Sequence, residues 1–546
     1  MDPQDSQLTA VDEGAARIEK ELDDVPEAKL RVLRTLAEMY EGMSESNASA
    51  ALHRQRHALA VRHFGESSIA AAHALSDLGC VLAEAEDITG ARKALDMAVD
   101  ILERSPDPTG RAEIARDLGL ATLYMRVDPK QGVLPAERAL SVLRRAPPSS
   151  ELMLAFTLLG INLHYCNELE RARQVLAEGI ETAPRAPGGA RSMLIELHII
   201  YGRVSGQLGD VDGAERHYAR ALDLSDSDTG PTGLHSLVIL GLRGETLAFN
   251  GRLLEAAHWT DKARQQLLAW PDSPERTAQV PGFSEKDAIS LVRVGRPEQA
   301  VKVATLGLRY CDEVKGNPHW PASLRALRGA ALFQLGKLRD AEQDLAVARA
   351  LIVSAGLEAR YVGRLAALTE ARALALREPG VDALERWRRH LHDAALSEIP
   401  SAEDITALAD LAEFELAAGL HTPALEHADQ ALAAFSARSN GAHNAEVEAR
   451  VRLLRGSALL KLQRADCAVL ALRQSVCLHA ATMDAQRSPM LLEARLVFAE
   501  ALLANCDRTA AREQWTLARD MVSQYSQLGE QYMAPMRALQ QRLTAA

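Results

Sequence analysis

Residues 160–184 read GINLHYCNELERARQVLAEGIETAP. Two features compete in this stretch. His164, Tyr165 and Cys166 stand in a row ahead of Glu168 and Glu170, with the residue types of a reactive pocket. Gly160, Ala172 and Gly179 instead place small residues at offsets of twelve and seven. Only the second feature recurs. Gly79/Ala91/Ala98, Gly202/Ala214/Ala221, Gly244/Ala256/Ala263, Ala288/Ala300/Gly307, Gly329/Ala341/Ala348, Ala412/Ala424/Ala431, Gly456/Ala468/Ser475 and Ala499/Ala511/Ala518 share the frame. Ala371/Ala383 keeps two positions and has His390 at the third. With Gly119 filling one gap, the leading small residue returns every 40 to 44 residues.

Two antiparallel helices approach most closely where their side chains are smallest, so Gly or Ala marks each crossing. Each unit then consists of two amphipathic stretches joined by a short turn such as NELE, LGD, NGR, VGRP or LGK. One such pair cannot bury its apolar faces alone, so pairs stack on their neighbours. Connectors carry Pro, Gly, Ser and Asp, as in RAPPSS, APRAPGGA and SDSDTGPTG. Ala and Leu dominate the apolar residues and aromatics reach only 4%, which favours helix over strand. The fold class expected is all-α.

Composition narrows the function. A formal charge of −12 lacks the basic balance of a general nucleic-acid binder, so no nucleic acid is expected as partner. No apolar run is long enough to span a membrane, and the opening MDPQDSQLTAVDEG has no signal-peptide pattern. Cys80, Cys166, Cys311, Cys467, Cys477 and Cys506 form no CxxC pair. Scattered thiols of this kind fit a cytoplasmic protein.

The chemical motifs read as packing. A catalytic cysteine needs a base held beside it by a third group, and adjacent helical residues point in different directions. HYC therefore reads as the end of a first helix, with Cys166 packed. His53 and His57 lie four apart, but a zinc site needs further ligands, for which His63 and His73 are the nearby donors. Gly336-Lys337 is followed by Leu338, not Ser or Thr, so LGK is a turn and not a phosphate loop. Arg386, Arg388, Arg389 and His390 form a short basic cluster, read as a solvated helix face. No GxSxG or HExxH occurs. No cofactor, metal or catalytic residue is expected.

The frame resembles the tetratricopeptide repeat family in its roughly 42-residue form, as in kinesin light chains and many bacterial regulators. That resemblance implies a right-handed superhelical α-solenoid of about twelve helix pairs. Its expected divisions are a lead-in at 1–25, an N-terminal half-array at 26–270, a connector and hinge at 271–282, a C-terminal half-array at 283–540 and a tail at 541–546. Gly119 departs from the pattern, with RVDPKQGVLP where a tight turn belongs. The segment VDEGAARIEKELDDVPEAKLRVLRTLAEMYEGM, followed by HALAVRHFGESSIAAAHALSDLG, resembles the junction between bacterial eukaryote-like Ser/Thr kinases and their C-terminal repeats. Pro26, Leu30, Leu33, Leu36 and Tyr40 carry the match, with Phe64, Gly65 and Glu66 at the turn. The kinase motifs VAIK, HRD and DFG are absent, so phosphoryl transfer is not carried over.

In such arrays the first helix of each pair faces inward, exposing residues one, four and five places after the small residue. These positions are Tyr124, His164, Tyr165, Arg203, Gln207, Glu245, Phe249, Arg293, Phe333, Gln334 and Arg372, with Glu413, Lys461 and Glu500 beyond them. Aromatics with Arg and Gln suit a groove for a partner protein or peptide. The family's chaperone-binding carboxylate clamp needs Lys and Asn on adjacent first helices. The corresponding residues here include Cys80, Leu120, Ile161, Arg203, Glu245 and Ile289, which disfavours it. The function expected is a non-catalytic protein-interaction scaffold in bacterial signalling. The alternatives are a truncated regulatory region of a Ser/Thr kinase and an effector-sensing arm of a transcription regulator.

Overall fold

The computed structural model describes residues 25–42, 46–186, 191–229, 233–313, 319–356, 361–377, 402–437, 445–525 and 527–545. Among these residues there are 24 α-helices and no strand. They fall into two compact units, Met1–Ser205 with Ala219–Leu224, and Gly206–Tyr218 with Ser225–Ala546.

The first unit holds α1 (Pro26–Gly42), α2 (Ser46–Phe64), α3 (Ile69–Glu84), α4 (Ile88–Arg104), α5 (Arg111–Val127), α6 (Pro129–Leu143), α7 (Ser150–Tyr165) and α8 (Leu169–Thr182). The unit boundary runs through α9 (Arg191–Gln207) and α10 (Val211–Thr229). The second unit continues with α11 (Leu234–Phe249), α12 (Leu253–Leu268), α13 (Pro274–Val294), α14 (Pro297–Glu313), α15 (His319–Gln334), α16 (Leu338–Ala355) and α17 (Tyr361–Arg377). It ends with α18 (Ala402–Ala417), α19 (His421–Ala437), α20 (Ala445–Lys461), α21 (Ala465–Thr482), α22 (Pro489–Ala504), α23 (Arg508–Val522) and α24 (Glu530–Thr544).

The small-residue frame is the packing frame. In α4 the buried residues Ala91, Ala94, Leu95, Ala98, Ile101 and Leu102 make one helical stripe. Ala91, Ala172, Ala256, Ala300, Ala341, Ala424, Ala468 and Ala511 are all fully buried. In the units led by Gly79, Gly160, Gly244, Gly329 and Gly456, the side chain four residues after that alanine seats on the leading glycine. A Cβ at Gly79 would lie 2.5 Å from Leu95 Cγ, and one at Gly329 would lie 2.8 Å from Leu345 Cγ. Leu176 occupies the same place against Gly160, and Leu472 against Gly456. First helices also pack on the next first helix, α3 on α5, α5 on α7, α13 on α15, and α20 on α22. Within each unit this is an all-α array of stacked helix pairs.

The turns follow the same frame. Seven residues after the leading small residue, φ is positive at Glu86, Asn167, Gly209, Gly251, Gly295, Gly336, Gly419, Gln463 and Cys506. Several first helices begin at a serine cap: Ser68, Ser149, Ser273 and Ser488 accept from Ala71, Leu152, Arg276 and Leu491 amides.

Two local expectations differ from what the structure shows. Within 271–282, Ser273 caps α13 and the helix runs on through Pro281, so most of the expected connector is helical. The expected insertion after Gly119 closes up, because Asp128 ends α5 and Pro129 starts α6. Proline suits a helix's first position, where its missing N–H is not needed. The basic cluster at 386–390 lies outside the described residues, as does residues 1–24 of the lead-in.

Candidate functional site

In the first unit, HYC resolves into two packed residues and one displayed residue. Tyr165 ends α7 and is 52% exposed, its ring 5.2 Å from that of His164. His164 is buried, contrary to the exposure expected at its position, and its Nε2 has no hydrogen-bond partner. Burial, helped by Arg203, pushes its imidazole down to about 4. Cys166 caps α7, and burial together with Glu168 and Asp128 raises its thiol. A nucleophilic cysteine needs the opposite shift. Tyr124 on α5 and Arg203 on α9 are half-buried.

His53 of α2 and His73 of α3 stand beside carboxylates. His53 is buried with Nε2 3.3 Å from Glu41 Oε1. His73 Nε2 lies 3.8 Å from Asp77 Oδ2, and burial pushes it down to about 4. Asp77 also pairs with Arg56, and Arg34 reaches it at 3.5 Å. Among the described residues, no group of three or more His, Cys, Asp or Glu side chains could hold a metal ion.

In the second unit, Gln207, Glu245 and Phe249 are exposed, Phe249 by 44%, and Glu245 pairs with Lys286. The remaining predicted residues meet the chain itself. Phe333 and Gln334 are buried, and the Phe333 carbonyl accepts from Gln531 Nε2 at 3.0 Å. Arg293 Nε donates to Glu446 Oε2 at 2.9 Å. Arg372 pairs with Glu413, which also accepts from Arg450 Nη2 at 2.6 Å, and Arg450 reaches Asp410 at 2.6 Å. Burial drives the Glu413 carboxyl up, but Arg372 and Arg450 outweigh it and hold the group below its ordinary range. Nearby Glu493 is raised by burial, with Arg372 only partly opposing. Glu500 is 3.6 Å from Arg542, and Lys461 is exposed.

The partners Glu446, Asp484 and Gln531 were not singled out by the repeat frame, because they lie far along the chain from the residues they meet. Asp484 shows this best. Its amide donates to the Val294 carbonyl at 3.1 Å, and its carboxylate accepts from Arg296 Nε at 2.9 Å, 188 residues away. A further cavity of about 680 Å³ lies between α12 and α14, lined by Leu254, His258, Asp261, Arg264, Arg296 and Lys302. Its arginines are engaged, Arg264 with Asp261 and Asp287, and Arg296 with Asp484.

No helix among the described residues is long and apolar enough to cross a membrane. No protein-family model matches this sequence, and no curated protein matches it. The Rap conjugation gene regulator of the plasmid pLS20, solved with the Phr* peptide, is similar in structure at a TM-score of 0.44 and 14% identity, covering 69% of this chain and 97% of that one. BtubC (BKLC) from P. vanneervenii has a TM-score of 0.37 at 12% identity, covering 42% and 92%. Cut9–Hcn1 of the APC/C has a TM-score of 0.34 at 12% identity, covering 96% and 98%.

Proposed function

We propose that the chain is a non-catalytic protein-interaction scaffold that holds a partner's peptide segment against its first helices. One observation carries this reading. Tyr124, Tyr165 and Phe249 occupy the same frame position, five residues after Gly119, Gly160 and Gly244, and Tyr165 and Phe249 are 52% and 44% exposed. A chain with only 4% aromatics displays large rings where the repeat leaves a first-helix residue free, and such rings are favoured binding anchors. Arg203 and Gln207 supply adjacent hydrogen-bond donors in their own repeat. The signalling context rests on the resemblance of the segment running into α3 to the kinase-linked repeats, and the cytoplasmic location on the scattered thiols.

A displayed peptide library selected on the immobilised full chain tests this. Tyr165→Ala and Phe249→Ala should each weaken the selected peptides roughly ten-fold, as loss of an anchor does, while the unfolding midpoint stays put. Peptides that bind both variants as tightly as the parent would remove the first-helix face from consideration.

A further inference from the structure

The frame position that presents Tyr124 and Tyr165 carries Glu84 one repeat earlier, five residues after Gly79. All three lie in the first unit, on α3, α5 and α7, which pack on one another in that order. The middle of this strip is apolar, since Leu120 and Ile161 stand half-buried one turn before Tyr124 and Tyr165. Its two ends differ in charge.

At the α3 end a carboxylate lacks a counter-charge. Glu84 makes no ion pair among the described residues. The cation beside it, Arg126 of α5, reaches Glu86 Oε1 at 3.3 Å and the Glu84 carbonyl at 3.4 Å. Glu41 of α1 adds a second negative group, whose Oε1 accepts from Ser49 Oγ at 2.8 Å. Glu84 is exposed to water yet ringed by protein. This partial desolvation, then Glu41, push its carboxyl up to about 7, with Arg126 opposing in part. Glu38, which also feels Glu41, is held by Arg34 at 3.0 Å. Among the described residues no three acidic, histidine or cysteine side chains converge as metal ligands would, which points to a side-chain cation here and not a metal ion.

The α9 end has the opposite sign. Arg203, in the same unit, is half-buried, stands within electrostatic reach of His164, and makes no ion pair among the described residues. His164 is neutral near pH 7, because burial and Arg203 hold its imidazole down to about 4. Arg203 is thus the charge that this end offers.

We propose that this strip selects an extended segment of a partner protein that is charged at both ends. Lys or Arg meets Glu84 and Glu41, apolar side chains cover Tyr124 and Tyr165, and Asp or Glu pairs with Arg203. The two unmet charges set the chemistry of the segment and which of its ends lies on α3. Helix axes about 8–10 Å apart put about 16–20 Å between α3 and α7, a distance that about five or six residues of extended chain cover. This charge pattern rests on the scaffold reading above, and the experiment separates the two.

Random peptides displayed on phage are selected on the immobilised full chain, on Glu84→Lys and on Arg203→Glu. Clones from the parent should carry Lys or Arg about five or six positions from an apolar residue, with Asp or Glu beyond it. Glu84→Lys should lose the basic residue from its clones and keep the apolar one, and Arg203→Glu should lose the acid. For one parent clone made as a synthetic peptide, Glu84→Gln should weaken binding roughly five-fold. Calorimetry at pH 7 in phosphate and in Tris should show proton release on binding to the parent and none on binding to Glu84→Gln, because the incoming cation draws the Glu84 proton off. The proposal is overturned by parent clones without the basic residue, by its persistence on Glu84→Lys, or by equal heats in the two buffers. Clones that depend on Tyr165 yet carry no charge pattern remove this proposal and leave the scaffold reading standing. A parent chain that selects no clone overturns both.

Discussion

Arg293 Nε donates to Glu446 Oε2 at 2.9 Å across 153 residues of sequence, and the two side chains are only 15% and 14% exposed. Removing one member leaves a largely desolvated charge without its counter-charge. Arg293→Ala should therefore cost about 3 kcal/mol. Replacing both, with Arg293→Met and Glu446→Leu, should recover most of that loss. Urea unfolding of the full chain followed at α13 and α20 compares the two. Equal stability of the single variant and the parent would mean the pair does not contribute.

Leu95 is seated between two glycines. A Cβ at Gly79 would stand 2.5 Å from its Cγ, and one at Gly119 would stand 2.7 Å from its Cδ2. Gly79→Ala gains about 1 kcal/mol of helix propensity but forces a packed branch point aside, which costs about 1–3 kcal/mol. The net expectation is a loss of about 1 kcal/mol, read as a lowered thermal midpoint. Thermal stabilisation would show that α3 and α4 adjust freely.

Gln463 sits at the turn position that glycine fills in five other repeats, with φ at 61°. Gln463→Gly should stabilise the chain by up to about 1 kcal/mol, because the left-handed backbone penalises a Cβ. Glu86→Gly should act likewise in the first unit, where φ is 65°. Calorimetry of the two variants checks the sign.

His479 is fully buried, and burial pushes its imidazole down to about 4 from the ordinary 6.5. The unfolded chain therefore takes up this proton first as pH falls. Stability from this group is intact above about 6.5, declines below it and levels off near 4. Between pH 7 and pH 5 the loss should be about 2 kcal/mol. His479→Gln should flatten that part of the stability–pH curve. An unchanged slope would assign the acid sensitivity elsewhere.

The architecture was legible because its determinants are local. Gly160, Ala172 and Leu176 meet within one helix pair, so their spacing alone describes the crossing, and Asn167 marks the turn between them. The face that each first helix turns outward was legible only in part. Tyr165 and Phe249 are displayed as expected from their frame position. Phe333, at the frame offset of His164, is buried like it, packed with Leu332, Ala341 and Ala373, while its carbonyl is met by Gln531, nearly two hundred residues on. A repeat pattern carries no record of such distant meetings. His164 was misjudged for a different reason, since its ring turns back into the pair while Tyr165 takes the open side.

A linear stack of repeats has two loose ends, and each can melt inward without disturbing the middle. Joining the α13–α14 turn to the α21–α22 loop removes that freedom from the intervening helices, because neither boundary can peel away while the other stays docked. Melting of this region should then occur in one concerted step, with the stretch from Val294 to Asp484 behaving like a ring and not like a row.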